Sequence, residues 1–159
     1  MISLFIRCAW ISLSLWVGGL SLFVGVVIPV AFRTFKKEEA GRFLDPLFPV
    51  VDRWALVWGT IAAGCLSLIF LRRHLEIRSL VMEVPVILMF LLTLHVTLVM
   101  HPKIWEVKRK LHLPEFQGTA HGQTLQFAFN RLHRASVQLH LVILALGLLS
   151  LGLAPRFLR

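Results

Sequence analysis

Four apolar runs, over residues 4–31, 47–71, 80–100 and 135–153, take up most of this 159-residue chain. Each is about the 20 residues that one helical crossing of a bilayer needs. In hydrocarbon every backbone N–H and C=O must be satisfied within the segment, so uninterrupted apolar runs of this length are expected to be helices. What remains between them is too short for a separate soluble domain. The fold expected is therefore all-α: an integral membrane four-helix antiparallel bundle forming one domain over residues 1–159.

Composition points the same way. Hydrophobic residues make up 57% of the chain and the mean hydropathy is +0.78, more apolar surface than a soluble domain of this size could bury. A formal net charge of +9 would suit nucleic acid, but the basic residues cluster between the apolar runs. There they meet anionic headgroups, worth about 1 kcal/mol per Lys or Arg. The partner expected is the lipid bilayer with its anionic headgroups, and no nucleic acid. Arg7, followed by apolar sequence near the start of the chain, resembles the start of a secretory leader. That run exceeds the 7–15 residues of a leader core, and no small-residue cleavage site precedes Pro29 and Phe32, so it is expected to be the first span.

Orientation follows from Lys and Arg in the short connections. The first (Arg33, Lys36, Lys37, Arg42, Arg53) and third (Lys103, Lys108, Arg109, Lys110, Arg131, Arg134) carry eleven, against six at Arg7, Arg72, Arg73, Arg78, Arg156 and Arg159. The bias puts the first and third connections in the cytoplasm and both termini outside. Each of these connections is expected to hold a short amphipathic helix lying along the interface. One covers 36–44, with Ala40, Phe43 and Leu44 on one side; the other covers 103–113, with Ile104, Val107 and Leu111 at helical spacing and Trp105 as an anchor.

Lipid tails are as apolar as leucine, so the helices must associate through close packing and buried polar contacts. Ser14, Gly18, Ser21 and Gly25 fall along one stripe of span one, with Gly19 beside it, and Gly147 and Ser150 continue the pattern in span four. These are the expected helix-packing residues. Charges inside spans are costly and call for partners. Arg7 and Glu83 reach similar depth near the outer surface, which makes an intramembrane Arg7–Glu83 ion pair the expected match. Asp45 and Asp52 flank the corner at Pro46 and Pro49, where capping and contact with Arg42 or Arg53 are expected. Cys8 and Cys65 read as small packing residues.

Among the seven histidines, four invite a metal or haem reading. A rise of about 1.5 Å per residue puts His95 and His140 at similar height in spans three and four, and lets His101 and His133 meet near the inner surface. Facing imidazoles across a bundle could hold haem b or copper. Against this, His95 projects into the apolar row of span three, and neutral histidines bonded to neighbouring helices or headgroups serve as well. No phosphate loop, nucleophile elbow, zinc-protease motif or pair of carboxylates at one depth is present, so no catalytic residues are assigned. The expected function is non-enzymatic: packing against a membrane protein partner or a second copy, or handling a small solute or metal, with no cofactor. The alternatives are a haem b- or copper-binding redox protein using the histidines of spans three and four, and an accessory subunit of a larger membrane complex.

Trp16-Val17-Gly18-Gly19, Pro29, Phe32, Ala40-Gly41, Phe48-Pro49, Pro102-Lys103, Phe129, Leu132-His133 and Ser136 form a pattern that resembles the bacterial family called domain of unknown function 4149, itself similar to the eukaryotic transmembrane protein 205 group. The resemblance implies a multi-pass protein of the bacterial cytoplasmic membrane without an established reaction, and the eukaryotic group is linked to drug and metal resistance. It further implies that Gly18 and Gly19 pack helices, that Pro29 kinks the end of span one, and that His133 and Ser136 lie at the start of span four. The tryptophan and glycine pair of span one is also similar to the copper-resistance D family, although span one here contains no histidine.

Overall fold

The computed structural model describes residues 2–72, 77–116 and 118–153. Among them the chain is helical and has no strand: α1 (Ile2–Leu22), α2 (Ile28–Thr34), α3 (Lys37–Leu44), α4 (Leu47–Arg72), α5 (Ile77–His95), α6 (His101–Leu111) and α7 (Ala120–Leu153). Four helical runs are long and apolar enough to cross a membrane: Ser3–Thr34, Lys37–Arg72, Glu83–Leu111 and Ala120–Leu153. Arg73, Arg156 and Arg159 of the charge count lie outside the described residues, as does the side chain of Arg78.

The helices form an antiparallel four-helix bundle in which α1 packs on α4, α4 on α5, α5 on α7, and α7 closes back on α1. Register follows from side-chain pairs. Phe23 meets Phe48 edge-on at 5.3 Å between ring centres, and Trp54 donates its indole N–H to the Leu15 carbonyl at 3.2 Å. Further along α4, Ser67 meets Glu83 of α5 at 2.8 Å. Rising numbers on one helix thus meet falling numbers on its neighbour, as short connections between consecutive helices require.

The buried face of α1 is Ala9, Ser12, Leu13, Trp16, Val17 and Leu20, steps of three, one, three, one and three that keep one side of a helix with 3.6 residues per turn. The small-residue stripe lies elsewhere. Ser14, Gly18 and Gly25 are exposed, and a Cβ added at Gly18 or Gly25 would meet nothing within 4 Å. Ser21 donates its hydroxyl to the Val17 carbonyl one turn back, at 2.7 Å. The physical reason is complementarity: α1 supplies the bulky partners and its neighbours supply the gaps. Trp16 comes within 3.0 Å of a Cβ built at Gly59 of α4, and Val17 within 2.5 Å of one at Gly147 of α7. Two other expected packing residues are at contacts, Gly19 against the Trp54 indole and Ser150, fully buried and bonded to the Leu146 carbonyl at 2.8 Å.

Two spans contain a wider turn. Over Phe23–Val27 and Val96–Met100 the helix closes with bonds five residues back, from Ile28 N–H to the Phe23 carbonyl and from His101 N–H to the Val96 carbonyl. A proline follows each within two residues, Pro29 and Pro102. Proline lacks an N–H and its ring crowds the carbonyl four residues back; a turn that takes in one extra residue relieves both conflicts. Both helices therefore run on through their prolines, and span one continues to Thr34 rather than ending at residue 31.

This continuity corrects the expected third connection. The segment 103–113 does not form a separate interfacial helix: α6 extends span three directly and packs along α7, which starts at Ala120 instead of residue 135. At about 1.5 Å per residue, the 34 residues of α7 outrun the hydrocarbon thickness of about 30 Å, and α6 packs along α7. In the first connection α3 is present as expected. Ala40 and Leu44 are buried against Phe23 and Ala31, whereas Phe43 faces out and packs on Phe35, with 5.6 Å between ring centres. Asp45 at the end of α3 pairs with Lys108 of α6, tying the two connections together.

Candidate functional site

Where α4, the junction of α5 with α6, and α7 meet, one carboxylate lies between two imidazoles. Asp52 sits one and a half turns into α4 and is 3% exposed. Its Oδ2 is 2.5 Å from Nδ1 of His101 and its Oδ1 is 3.4 Å from Nε2 of His140. Oδ2 makes no hydrogen bond among the described residues, so its contact with His101 is one of proximity. The two imidazole rings stack at 6.1 Å with 21° between their planes, and Phe48 covers His101 edge-on at 6.4 Å. A cavity of about 10 Å³ opens beside Asp52 and His140, lined also by Trp16, Thr93 and Ile143. That is room for about one water.

Each member is placed by its helix. Ser136 and His140 are one turn apart on α7, and Nδ1 of His140 lies 2.9 Å from the Ser136 carbonyl oxygen. A carbonyl can only accept, so Nδ1 carries the hydrogen and the other nitrogen, Nε2, is turned to Asp52. His101 is aimed by the wide turn before it: the extra residue wound into Val96–Met100 changes the facing of everything that follows, and His101, not His95, reaches the carboxylate. Within this wide turn the buried Thr97 hydroxyl has no partner among the described residues.

The four candidate histidines thus divide. His101 and His140 come together. His95 is exposed on α5, so the expected pairing of His95 with His140 is replaced by His101 with His140. His133 is also exposed and stacks on Phe129 at 5.8 Å, with 6° between the rings, rather than meeting His101. Asp52 is the residue that sequence reasoning placed wrongly, at a corner with Arg42 or Arg53. Arg53 instead donates to the Pro49 carbonyl at 3.2 Å. The signal was present: an acidic residue already inside an apolar helix needs a partner.

At the opposite end of the bundle Glu83 is 6% exposed. It does not pair with Arg7, which is exposed on α1; α1 and α5 lie diagonally across the bundle with α4 between them. Glu83 instead accepts the Ser67 hydroxyl, and its second oxygen has no partner among the described residues. Ser67→Ala strips the carboxyl of that bond and is expected to cost about 1–3 kcal/mol. Unfolding in mixed micelles checks this; a loss within error would show that the hydroxyl contributes nothing.

Among the described residues no group of three or more His, Cys, Asp or Glu side chains is arranged to hold a metal ion. What the cluster does present is a buried carboxylate in contact with two imidazoles. Oδ1 of Asp52 can only accept, so in its hydrogen bond with His140 at 3.4 Å it is Nε2 that donates. The arrangement places a positive charge beside the buried carboxylate, as a buried acidic group in a bundle requires.

No curated protein and no solved structure matches this chain. Residues 11–112 match the family described as Domain of unknown function (DUF4149), a stretch that takes in α2 to α6 and the second half of α1, and with them Asp52 and His101. With nearly two thirds of its length covered, this four-helix chain belongs to that family.

Proposed function

We propose that the protein is a non-enzymatic helix bundle of the bacterial cytoplasmic membrane that handles a small cation at Asp52, His101 and His140, with its basic end in the cytoplasm and both termini on the other side. The observation that carries the reading is the buried Asp52 carboxylate set between His101 and His140, with Nε2 of His140 turned to it by the bond from Nδ1 to the Ser136 carbonyl. Ionisable groups within a bundle mark ion paths and relays, and this one joins three spans near their basic end. The orientation rests on the eleven Lys and Arg of the first and third connections. Stacked rings with a carboxylate between them favour a small ion over a haem, which needs two imidazole nitrogens aimed at each other across a macrocycle.

The test is nitrogen NMR on ¹⁵N-histidine protein in lipid nanodiscs at neutral pH. His140 is expected to show a hydrogen on Nδ1 and an Nε2 that is itself capped, by a proton or by a metal. A free, bare Nε2 contradicts the proposal.

A further inference from the structure

We infer that the cation handled at this cluster is the proton, and that His101, Asp52 and His140 form a relay carrying it between the basic end of the bundle and the cavity inside. The inference rests on reading the cluster as a small-cation site and goes further by naming the ion. Its first support is the order of the groups. His101 adjoins the exposed Pro102 and Lys103. Asp52 and His140 line the cavity, whereas His101 lies outside it. Going inward, Nδ1 of His101 is 2.5 Å from Oδ2 of Asp52, and Oδ1 of the same carboxylate is 3.4 Å from Nε2 of His140. Chains of carboxylate and imidazole within a bundle are the material of proton relays.

The second support is an acceptor left open. Asp52 is 3% exposed, and its Oδ2 has no hydrogen bond among the described residues although an imidazole stands against it. The third is what the site offers an ion. A metal cation needs several oxygen or nitrogen ligands around it, and here Nε2 of His140 is already a donor to Oδ1; a proton needs one acceptor. The side chains that α1 and α5 set against the cavity, Trp16, Leu20 and Thr93, are uncharged, so the titratable groups of the site among the described residues are Asp52, His101 and His140. The step moves one proton and breaks no other bond. His101 takes a proton from water on Nε2 and gives the hydrogen of Nδ1 to Oδ2 of Asp52. A half-turn of the carboxyl group then presents it to Nε2 of His140, whose other ring hydrogen stays on the Ser136 carbonyl. Asp52 is a carboxylate again, His140 carries the positive charge, and His101 regains its starting tautomer by exchange with water. The bond from Nε2 to Oδ1 is this loaded state, and release is the reverse.

The experiment uses the full chain with ¹⁵N-histidine in lipid nanodiscs and measures how fast the hydrogen on Nε2 of His140 exchanges with water, in sodium or potassium buffer, with and without a chelator. The parent chain is expected to carry that hydrogen under all these conditions and to exchange it. His101→Phe and His101→Gln are each expected to slow the exchange about 100-fold, the low end of what one positioned acid–base group contributes. The Nδ1 bond to the Ser136 carbonyl should persist in both, which shows that α7 is still in place, and two variants keep the result from hanging on the folding of one. His95→Ala is expected to leave the rate unchanged, and Asp52→Asn to leave Nε2 bare. An unchanged rate in folded His101 variants, or a hydrogen retained on Nε2 in Asp52→Asn, overturns the relay and leaves the small-cation reading standing. A cap on Nε2 that the chelator or the change of salt removes overturns the proton and also leaves that reading standing; a bare Nε2 in the parent chain removes both.

Discussion

Gly147→Ala is expected to destabilise the bundle by about 2–3 kcal/mol, the upper part of the range for overfilling a packed core. A Cβ there would lie 2.5 Å from Cγ2 of Val17 and 3.0 Å from Cε of Met89. The methionine end can swing away, but Val17 is 2% exposed, β-branched and fixed on α1, so α7 itself must move. That displacement would also disturb His140, two turns earlier on the same helix. Alanine is a better helix former than glycine by about 1 kcal/mol, which offsets part of the loss at Gly147 and has nothing to offset at Gly18. Gly18→Ala is accordingly expected to be neutral or slightly stabilising. Unfolding of both variants in mixed micelles, followed by near-ultraviolet circular dichroism, reads the contrast; equal effects would mean that the small stripe of α1 packs after all.

Asp52→Ala is expected to cost about 3–5 kcal/mol, the range for removing one partner from a buried charged group. The change removes the carboxylate that His101 and Nε2 of His140 face, and it widens the cavity that already borders His140. Since Asp52 links α4 to both α5–α6 and α7, the loss is expected to appear as cooperative unfolding of the whole bundle rather than fraying of one helix. A loss below about 1 kcal/mol would show that the carboxylate is solvated or replaceable, and that the cluster does not hold the basic end together.

Span number, the all-helical fold and the family are legible in the sequence because they depend on the length and hydrophobicity of runs, which the bilayer imposes residue by residue. Which face of each helix turns inward was harder to read. Small residues do mark membrane helix contacts, but Gly59 and Gly147 do so by receiving Trp16 and Val17, so the stripe to seek on α1 was one of bulk. The site was half visible. His101 and His140 were candidates, yet equal rises along spans three and four set His95 rather than His101 level with His140, and nothing in a hydrophobic pattern announces that Val96–Met100 winds in an extra residue. A proline at 102 in an otherwise continuous apolar helix was the available clue, and Pro29 repeats it. Asp52 was hidden by its nearness to Pro46 and Pro49, which reads as a corner although α4 begins at Leu47 and carries Pro49 in its first turn.

The account stands on three spans converging on one carboxylate, and a double-mutant cycle between Asp52→Asn and His140→Gln measures that directly. These residues are 88 positions apart in sequence, so only the fold can couple them. The stabilities of the two single variants and the double variant, measured in the same micelles, are expected to depart from additivity by at least about 1 kcal/mol, as groups in one polar network do. Additivity within about 0.3 kcal/mol, the behaviour of independent sites, would contradict the convergence and the cation site built on it.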